Sequence, residues 1–464
     1  MRELSASKKQ MMLTEQVPSL IVKMAVPTIT AQLITTIYNL VDTYFVSTIG
    51  TNAMAAVGVN SSLERTITLL GSLIGSGACS YIARLLGAKK DKDANHVLST
   101  SFFVGLALGL LLAAIGTVFI TPLVNLLGAT DDCRGYSIQY ATYVLYAAPF
   151  MIGSFILNMC LRSEGSAKLA MIGIGFGGIL NCVLDPLFIY ELDLGVAGAS
   201  MATAISKTVS FCILLYPYIR KKCAVQIALK QVLVSWKDVR EVLSIGSTSF
   251  LRSCFGVIAG ILINRVAGGF STAALAALSL ANRVMEFPFA VILGFGQGYQ
   301  PVVGFNWGAK QKRRVKESLS FATRVSLIGA AVVGVLLFVF AHVVVNVFNS
   351  EADEEVLRLG MLCIRLQCIT LPIHAWLSLV NMFYAGIGKA GYALALSTAR
   401  QGYCFLPVLW LLPMVLGVNG LAATQAVADL LTLAVIIPLC RRAYRLADAL
   451  PAEGEIDQSG GAVR

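Results

Sequence analysis

Apolar stretches long enough to cross a bilayer recur along the whole 464-residue chain and leave little room for anything else. A transmembrane helix needs ~20 predominantly apolar residues. Only helices and closed barrels satisfy every backbone N–H and C=O in lipid. The runs here are continuous rather than alternating, so they read as helices. Hydrophobic residues make up 57% of the chain and charged ones 13%, against ~25% charged in an ordinary soluble domain. The fold class is therefore an all-α integral membrane protein. Twelve transmembrane helices are expected near 17–46, 53–86, 95–127, 139–163, 168–190, 195–219, 239–268, 273–307, 315–348, 359–386, 391–416 and 419–443.

The net charge of +11 is a topology signal rather than a nucleic-acid footprint, because the basic residues cluster in alternate loops. The even-numbered loops hold Lys89, Lys90 and Lys92; Lys168; residues 220–222 with Lys237; residues 310–316; and Lys389. The odd-numbered loops hold Asp131 and Asp132, Glu191 and Asp193, and the acidic cluster from Glu351 to Glu355. By the positive-inside rule the even loops and both termini are cytoplasmic. That arrangement suits a multi-pass protein of a bacterial-type cytoplasmic (inner) membrane. The polar start, Met1 to Gln16, has no signal-peptide pattern. Most of the eleven cysteines fall inside spans, among them Cys160, Cys182 and Cys404, while Cys133 is assigned to an outer loop, so no disulfide framework is expected.

The halves repeat. A shift of 221 residues sets Ala55-Ala56 on Ala276-Ala277, Gly75-Ser-Gly77 on Gly296-Gln-Gly298, and Gly87-Ala88-Lys89 on Gly308-Ala309-Lys310. With small changes of register Pro149 meets Pro372, Gly165 meets Gly388 and Gly198 meets Gly420. Each half has an even number of spans, so the two share one orientation about a pseudo-two-fold axis along the membrane normal. The expected organisation is a cytoplasmic segment 1–16, a first lobe 17–219, a linker 220–238, a second lobe 239–443 and a cytoplasmic tail 444–464. Such symmetry serves alternating access, which makes a secondary active transporter the natural reading. An enzyme is not expected. The three histidines His96, His342 and His374 lie on separate elements, and there is no H-E-x-x-H, Walker A or zinc-spaced cysteine set. No cofactor and no ATP drive are implied.

Acidic groups inside spans are costly, ~2.5–3.5 kcal/mol at a helix centre, and they default to function. Asp42 falls in the first helix with Asn39 one turn before it. Asp185 falls in the fifth with Asn181 one turn before it, and Pro186 follows. Asn158 and Thr203 add oxygens from the fourth and sixth helices. Carboxylates, amides and a hydroxyl in one lobe suit a proton or a hard cation such as sodium. The second-half positions matching Asp42 and Asp185 are Ile263 and Leu406, so folding alone does not require the cluster. Asn158 has a second-half echo in Asn381, as a helix cross-link would. Arg283 and Glu286, three apart on the eighth helix, can form an ion pair or line a substrate cavity with Tyr38, Met285 and Phe287. Lys207 and Asp429 occupy equivalent places on the sixth and twelfth helices.

The segments GSGACSYIARLLGAKKDKDANHV, GFGQGYQPVVGFNWGAKQKRRVKES and RSEGSAKLAMIGIGFGGILNCVLDPLFI resemble the multidrug and toxic compound extrusion family across nearly the whole chain. The resemblance implies a two-lobed bundle with a central cavity. It also implies antiport of organic, cationic amphipathic compounds against protons or sodium ions. In the branch with a first-lobe cation site, Asp42, Asn158, Asn181, Asp185 and Thr203 match the ion-binding positions. Another branch places acids on helices seven and ten. Here those helices offer Arg252 and Asn264, and His374 and Asn381, so a second-lobe sodium site is not expected. The alternative within the superfamily is a flippase for lipid-linked saccharides, which would grip a pyrophosphate with residues such as Arg252, Arg283, Arg365 and Arg400. Small-molecule substrates and the bilayer are the implied partners; no nucleic acid and no partner protein is called for.

Overall fold

The computed structural model describes residues 2–232, 235–348 and 353–451, and every regular element among them is helical. A helix α1 (Arg2–Thr14) precedes the first span. Then come α2 (Val17–Ser47), α3 (Thr51–Gly87), α4 (Asp91–Val118), a short α5 (Ile120–Leu126), α6 (Asp131–Ser163), α7 (Ala167–Pro186) and α8 (Gly195–Ile219). The second half holds α9 (Trp236–Phe270), α10 (Thr272–Gly308), α11 (Lys312–Phe348), α12 (Glu354–Gly386), α13 (Ala390–Thr398) and α14 (Phe405–Asp448). Two five-residue π-helical turns, Leu187–Glu191 and Ala399–Tyr403, follow α7 and α13. Glu351, part of the linker at 233–234 and the tail beyond 451 lie outside the described residues.

Among the described residues eleven helical stretches are long and apolar enough to span a membrane. The last of them, Ala390–Asp448, is broken at Gly417 (φ 58°, ψ −140°), a conformation that glycine reaches without a Cβ clash. Two spans meet at that break, which gives twelve in all.

The fourth span begins at Asp131 rather than near 139. Cys133 is therefore not in a loop but in a helical first turn, buried to 2% exposure. The cause is electrostatic: Asp131 and Asp132 sit in that first turn, where carboxylates favour the helix N-terminus. The tenth span likewise starts early, at Glu354. Asp353 caps it by accepting hydrogen bonds from the amides of Glu355 (2.8 Å) and Val356 (3.3 Å). Acids that mark an outer loop thus also start helices.

The chain divides into two compact units. The first comprises residues 1–15 and 26–246, the second residues 16–25 and 247–464. The opening turns of α2 therefore pack within the second unit, and those of α9 within the first. The paired G-x-G motifs explain how. A Cβ on Gly77 would lie 1.9 Å from the carbonyl oxygen of Val242 in α9, and one on Gly298 would lie 2.6 Å from Cα of Ala25 in α2. In each unit a glycine admits the backbone of the exchanged segment.

The repeat extends to backbone angles. Gly165 and Gly388 have φ of 84° and 82°, and Lys89 and Lys310 have φ of 59° and 56°. Pro149 and Pro372 both lie inside helices, α6 and α12. The linker is tied to the first unit. Its amides at Ala224 and Val225 donate to Oε2 of Glu164 (2.5 and 3.3 Å), and Gln226 N–H donates to Oδ1 of Asn95 (2.8 Å). Lys8 of α1 donates to the hydroxyl of Ser166 (2.7 Å), which itself donates to Glu164.

Candidate cation-coupling site

The first unit gathers its intramembrane polar side chains from five helices. Asp185 sits near the C-terminal end of α7, fully buried, just before Pro186 and the π turn. One turn earlier Asn181 donates from Nδ2 to Oδ1 of Asp185 at 2.9 Å and, at 3.4 Å, to the hydroxyl of Thr203 on α8. Asp42 on α2 lies close enough to Asp185 for the two carboxyls to act on each other electrostatically. Oδ1 of Asp42 and Oδ2 of Asp185 are buried and receive no hydrogen bond among the described residues. Two neighbouring carboxylates repel, and a proton or a cation shared between them removes the repulsion. Carboxylate, amide and hydroxyl oxygens are hard donors. Among the described residues no group of three or more His, Cys, Asp or Glu side chains forms a metal site.

Two further elements complete the cluster. Glu64 on α3 accepts a hydrogen bond from the phenol of Tyr140 on α6 (2.8 Å) and acts electrostatically on Asp42. Lys207 on α8 donates to the phenol oxygen of Tyr38 at 2.6 Å, its ammonium 4.6 Å from that ring, within electrostatic reach of Asp42 and Glu64. In the sequence Glu64 and Lys207 are charges inside spans. The usable signal was their presence inside spans. Their partners lie 76 and 169 residues away.

The other candidate residues distribute as follows. Asn39 is exposed on α2, whereas Tyr38 carries the contact to α8. Asn158 is buried and donates to the carbonyl of Ala170 (2.8 Å), joining α6 to α7. On α10, Arg283, Glu286 and Phe287 share an exposed face, while Met285 is fully buried in the core of the second unit. Tyr38, in the first unit, is held by Lys207. Of the remaining arginines, Arg400 pairs with Asp429 (2.9 Å), Arg365 lies over the ring of Phe338 (5.3 Å), and Arg252 is half-buried.

The MatE family profile matches residues 27–187 and again 248–411. The chain belongs to the MATE family. The two matched stretches begin 221 residues apart (248 against 27), which is the shift of the internal repeat. MATE proteins are transporters, not enzymes. The multidrug export protein MepA of Staphylococcus saprophyticus subsp. saprophyticus is 28% identical over 407 residues, covering 87% of this chain and 89% of that protein. MepA of Staphylococcus aureus is 25% identical over 409 residues with the same coverage. Among solved structures, an outward-facing multidrug resistance MATE transporter of the MOP superfamily superposes with a TM-score of 0.88 at 25% identity, covering 95% of this chain and 98% of that one. A MOP-superfamily transporter from Pyrococcus furiosus, described by a binding pocket of reverse polarity and a different function, gives 0.87 at 26% identity over 96% and 98%. The two-lobed all-helical MATE architecture thus spans this whole chain.

Proposed function

We propose that this MATE protein is a multidrug efflux antiporter of a bacterial cytoplasmic membrane, with both termini cytoplasmic. It exports organic, cationic amphipathic compounds in exchange for protons or sodium ions. The observation that carries this reading is the electrostatic closeness of Asp42 and Asp185, with a buried oxygen on each, inside a lobe whose repeat partner has apolar residues at the same positions. Asp42, Asp185, Asn181 and Thr203 hold the ion. Asn158 braces the helix that carries Asn181 and Asp185. Glu64 and Lys207 set the charge around Asp42. The naming of the staphylococcal relatives as multidrug export proteins supports multidrug export, and the outward-facing and bent forms among the solved relatives support alternating access.

The mechanism follows from electrostatics. When the carboxyl pair holds its ion it is neutral enough to stay closed against apolar surroundings. When it releases the ion inward, the two like charges separate or attract a cationic substrate. One charge moving through 100 mV supplies ~2.3 kcal/mol, and each tenfold gradient costs ~1.4 kcal/mol. For a neutral substrate one ion therefore sustains a gradient of useful size, whereas a monovalent cation exchanged for one monovalent ion moves no net charge and draws on the chemical gradient of the ion alone.

Transport in proteoliposomes tests the reading. Ethidium movement is followed under an imposed pH gradient and, separately, an imposed sodium gradient. One of the two should drive it in the wild type, and Asp42→Asn and Asp185→Asn should abolish that drive. Full gradient-driven transport in both variants would remove these residues from coupling.

A further inference from the structure

The second unit carries a polar cluster of opposite sign that ion coupling leaves unused. Arg400, in the π turn after α13, donates from Nε to Oδ1 of Asp429 at 2.9 Å. Gln425 donates to the same oxygen (2.9 Å) and Thr370 to the other (3.3 Å), so the carboxylate of Asp429 is fully engaged. The guanidinium of Arg400 also lies 4.7 Å from the ring of Phe289, and His374 meets that ring edge-on at 4.7 Å. Nδ1 of His374 is buried and, among the described residues, has no hydrogen-bond partner.

Arg252 on α9 adds a second guanidinium. A Cβ on Gly256, one turn along the same face, would lie 2.9 Å from the side-chain oxygen of Gln401, and one on Gly402 would lie 3.4 Å from the ring of Phe255. These contacts set this part of α9 against the π turn. Arg252 and Arg400 both act electrostatically on His374. Among the described residues Arg252 has no hydrogen bond and no ion pair. The carboxylate of Asp429 is taken by Arg400, and among the described residues Arg252 has no carboxylate partner. An uncompensated charge within a span is expensive and marks a functional site by default. The repeat shows that folding does not demand it, since Ala31 and Met151 stand at the first-unit positions of Arg252 and His374.

We propose that Arg252 and His374, backed by Arg400, form an anion-accepting site in the second unit that takes the carboxylate of a zwitterionic amphipathic substrate. The planar fork of arginine fits a carboxylate with two parallel hydrogen bonds. His374 offers a further nitrogen, and Phe289 and Phe255 offer aromatic surface to the body of the ligand. This site rests on the export reading above and assigns the residues of the second unit that hold the anionic end of such a substrate.

The test is fluorescence anisotropy on the purified full-length protein in detergent. The probes are a rhodamine with a free carboxylate and its methyl ester, which lacks only that charge. The wild type binds both. Arg252→Gln should weaken the acid about tenfold, the loss of one strong polar contact, while ester binding stays within about twofold and certifies the fold. Should the glutamine variant not fold, Arg252→Lys keeps the charge without the fork and should give a smaller loss, again for the acid alone. Equal losses for both dyes, or an unchanged acid affinity, would overturn the site. So would phosphatidylglycerol binding that alone disappears in the variant, since it assigns the arginine to a lipid headgroup. A wild type that binds neither dye contradicts the export reading itself.

Discussion

Asn158 and Asn381 make the same hydrogen bond in the two halves of the molecule. Nδ2 of Asn158 donates to the carbonyl of Ala170 at 2.8 Å, and Nδ2 of Asn381 donates to that of Ala393 at 2.6 Å. Each spans twelve residues and ties the fourth helix of its half to the fifth. A bond kept in both lobes, one with the acidic cluster and one without, has a structural duty. Alanine at either position should cost about 0.6–1.7 kcal/mol, the range for hydrogen bonds between membrane helices. Asn381→Ala should leave ion coupling intact. Denaturation in detergent reads the first effect and gradient-driven transport the second.

Gly77 and Gly298 should tolerate no side chain. A methyl group at Gly77 would overlap the carbonyl of Val242, and one at Gly298 the backbone of Ala25. Gly77→Ala and Gly298→Ala are expected to lose most folded protein, scored by monodisperse yield on size-exclusion chromatography. Gly58→Ala is the control. Nothing lies within 4 Å of a Cβ there, and alanine should add about 0.5–1 kcal/mol of helix stability.

The Arg400–Asp429 pair is almost fully buried, its side chains 10% and 3% exposed. Removing one partner of a buried pair typically costs about 3–5 kcal/mol, whereas replacing both with apolar groups of similar volume is often near neutral. Arg400→Ala should therefore destabilise strongly. The double variant Arg400→Met, Asp429→Leu should recover most of the loss in thermal unfolding, and no recovery would show that the two act separately.

Much of the fold was legible because lipid imposes it. Twelve apolar runs, alternating loop charge and the 221-residue shift all follow from backbone satisfaction and charge placement. The acids Asp42 and Asp185 stood out because a carboxylate in a span is costly, and Asn181 followed from helical spacing. Spacing did not choose between Asn39 and Tyr38, both one turn from Asp42; packing against α8 selects Tyr38. The pairings Glu64–Tyr140, Lys207–Tyr38 and Arg400–Asp429 were not legible, since each joins separate helices whose rotation no sequence period fixes. The exchange of the first turns of α2 and α9 was hidden for the same reason, although its glycines were visible as a motif.

Glu164 gives a pH dependence. It lies in the turn between α6 and α7, outside the spans, 3.8 Å from Nζ of Lys8. Burial pushes its carboxyl above the usual carboxylate range, with Lys8 and the amides of Ala224 and Val225 opposing. A folded value above the unfolded one means that the group's stabilising contribution is full below the unfolded value and is lost as pH rises through the folded one. Acidifying from pH ~7.5 to ~5 should therefore raise the melting temperature of the wild type relative to Glu164→Gln. The opposite slope would mean that the amide and lysine contacts outweigh burial.

The Asp42–Asp185 pair should bind the coupling ion in competition with substrate. Binding linkage is reciprocal: an ion that weakens substrate binding must itself be weakened by substrate to the same degree. Ethidium affinity, measured on the purified protein across pH and across sodium concentration, tests this most directly. The wild type should lose affinity as one of the two ions is raised, and Asp185→Asn should respond to neither. An Asp42→Asn, Asp185→Asn double variant that keeps the full wild-type ion dependence would contradict the account.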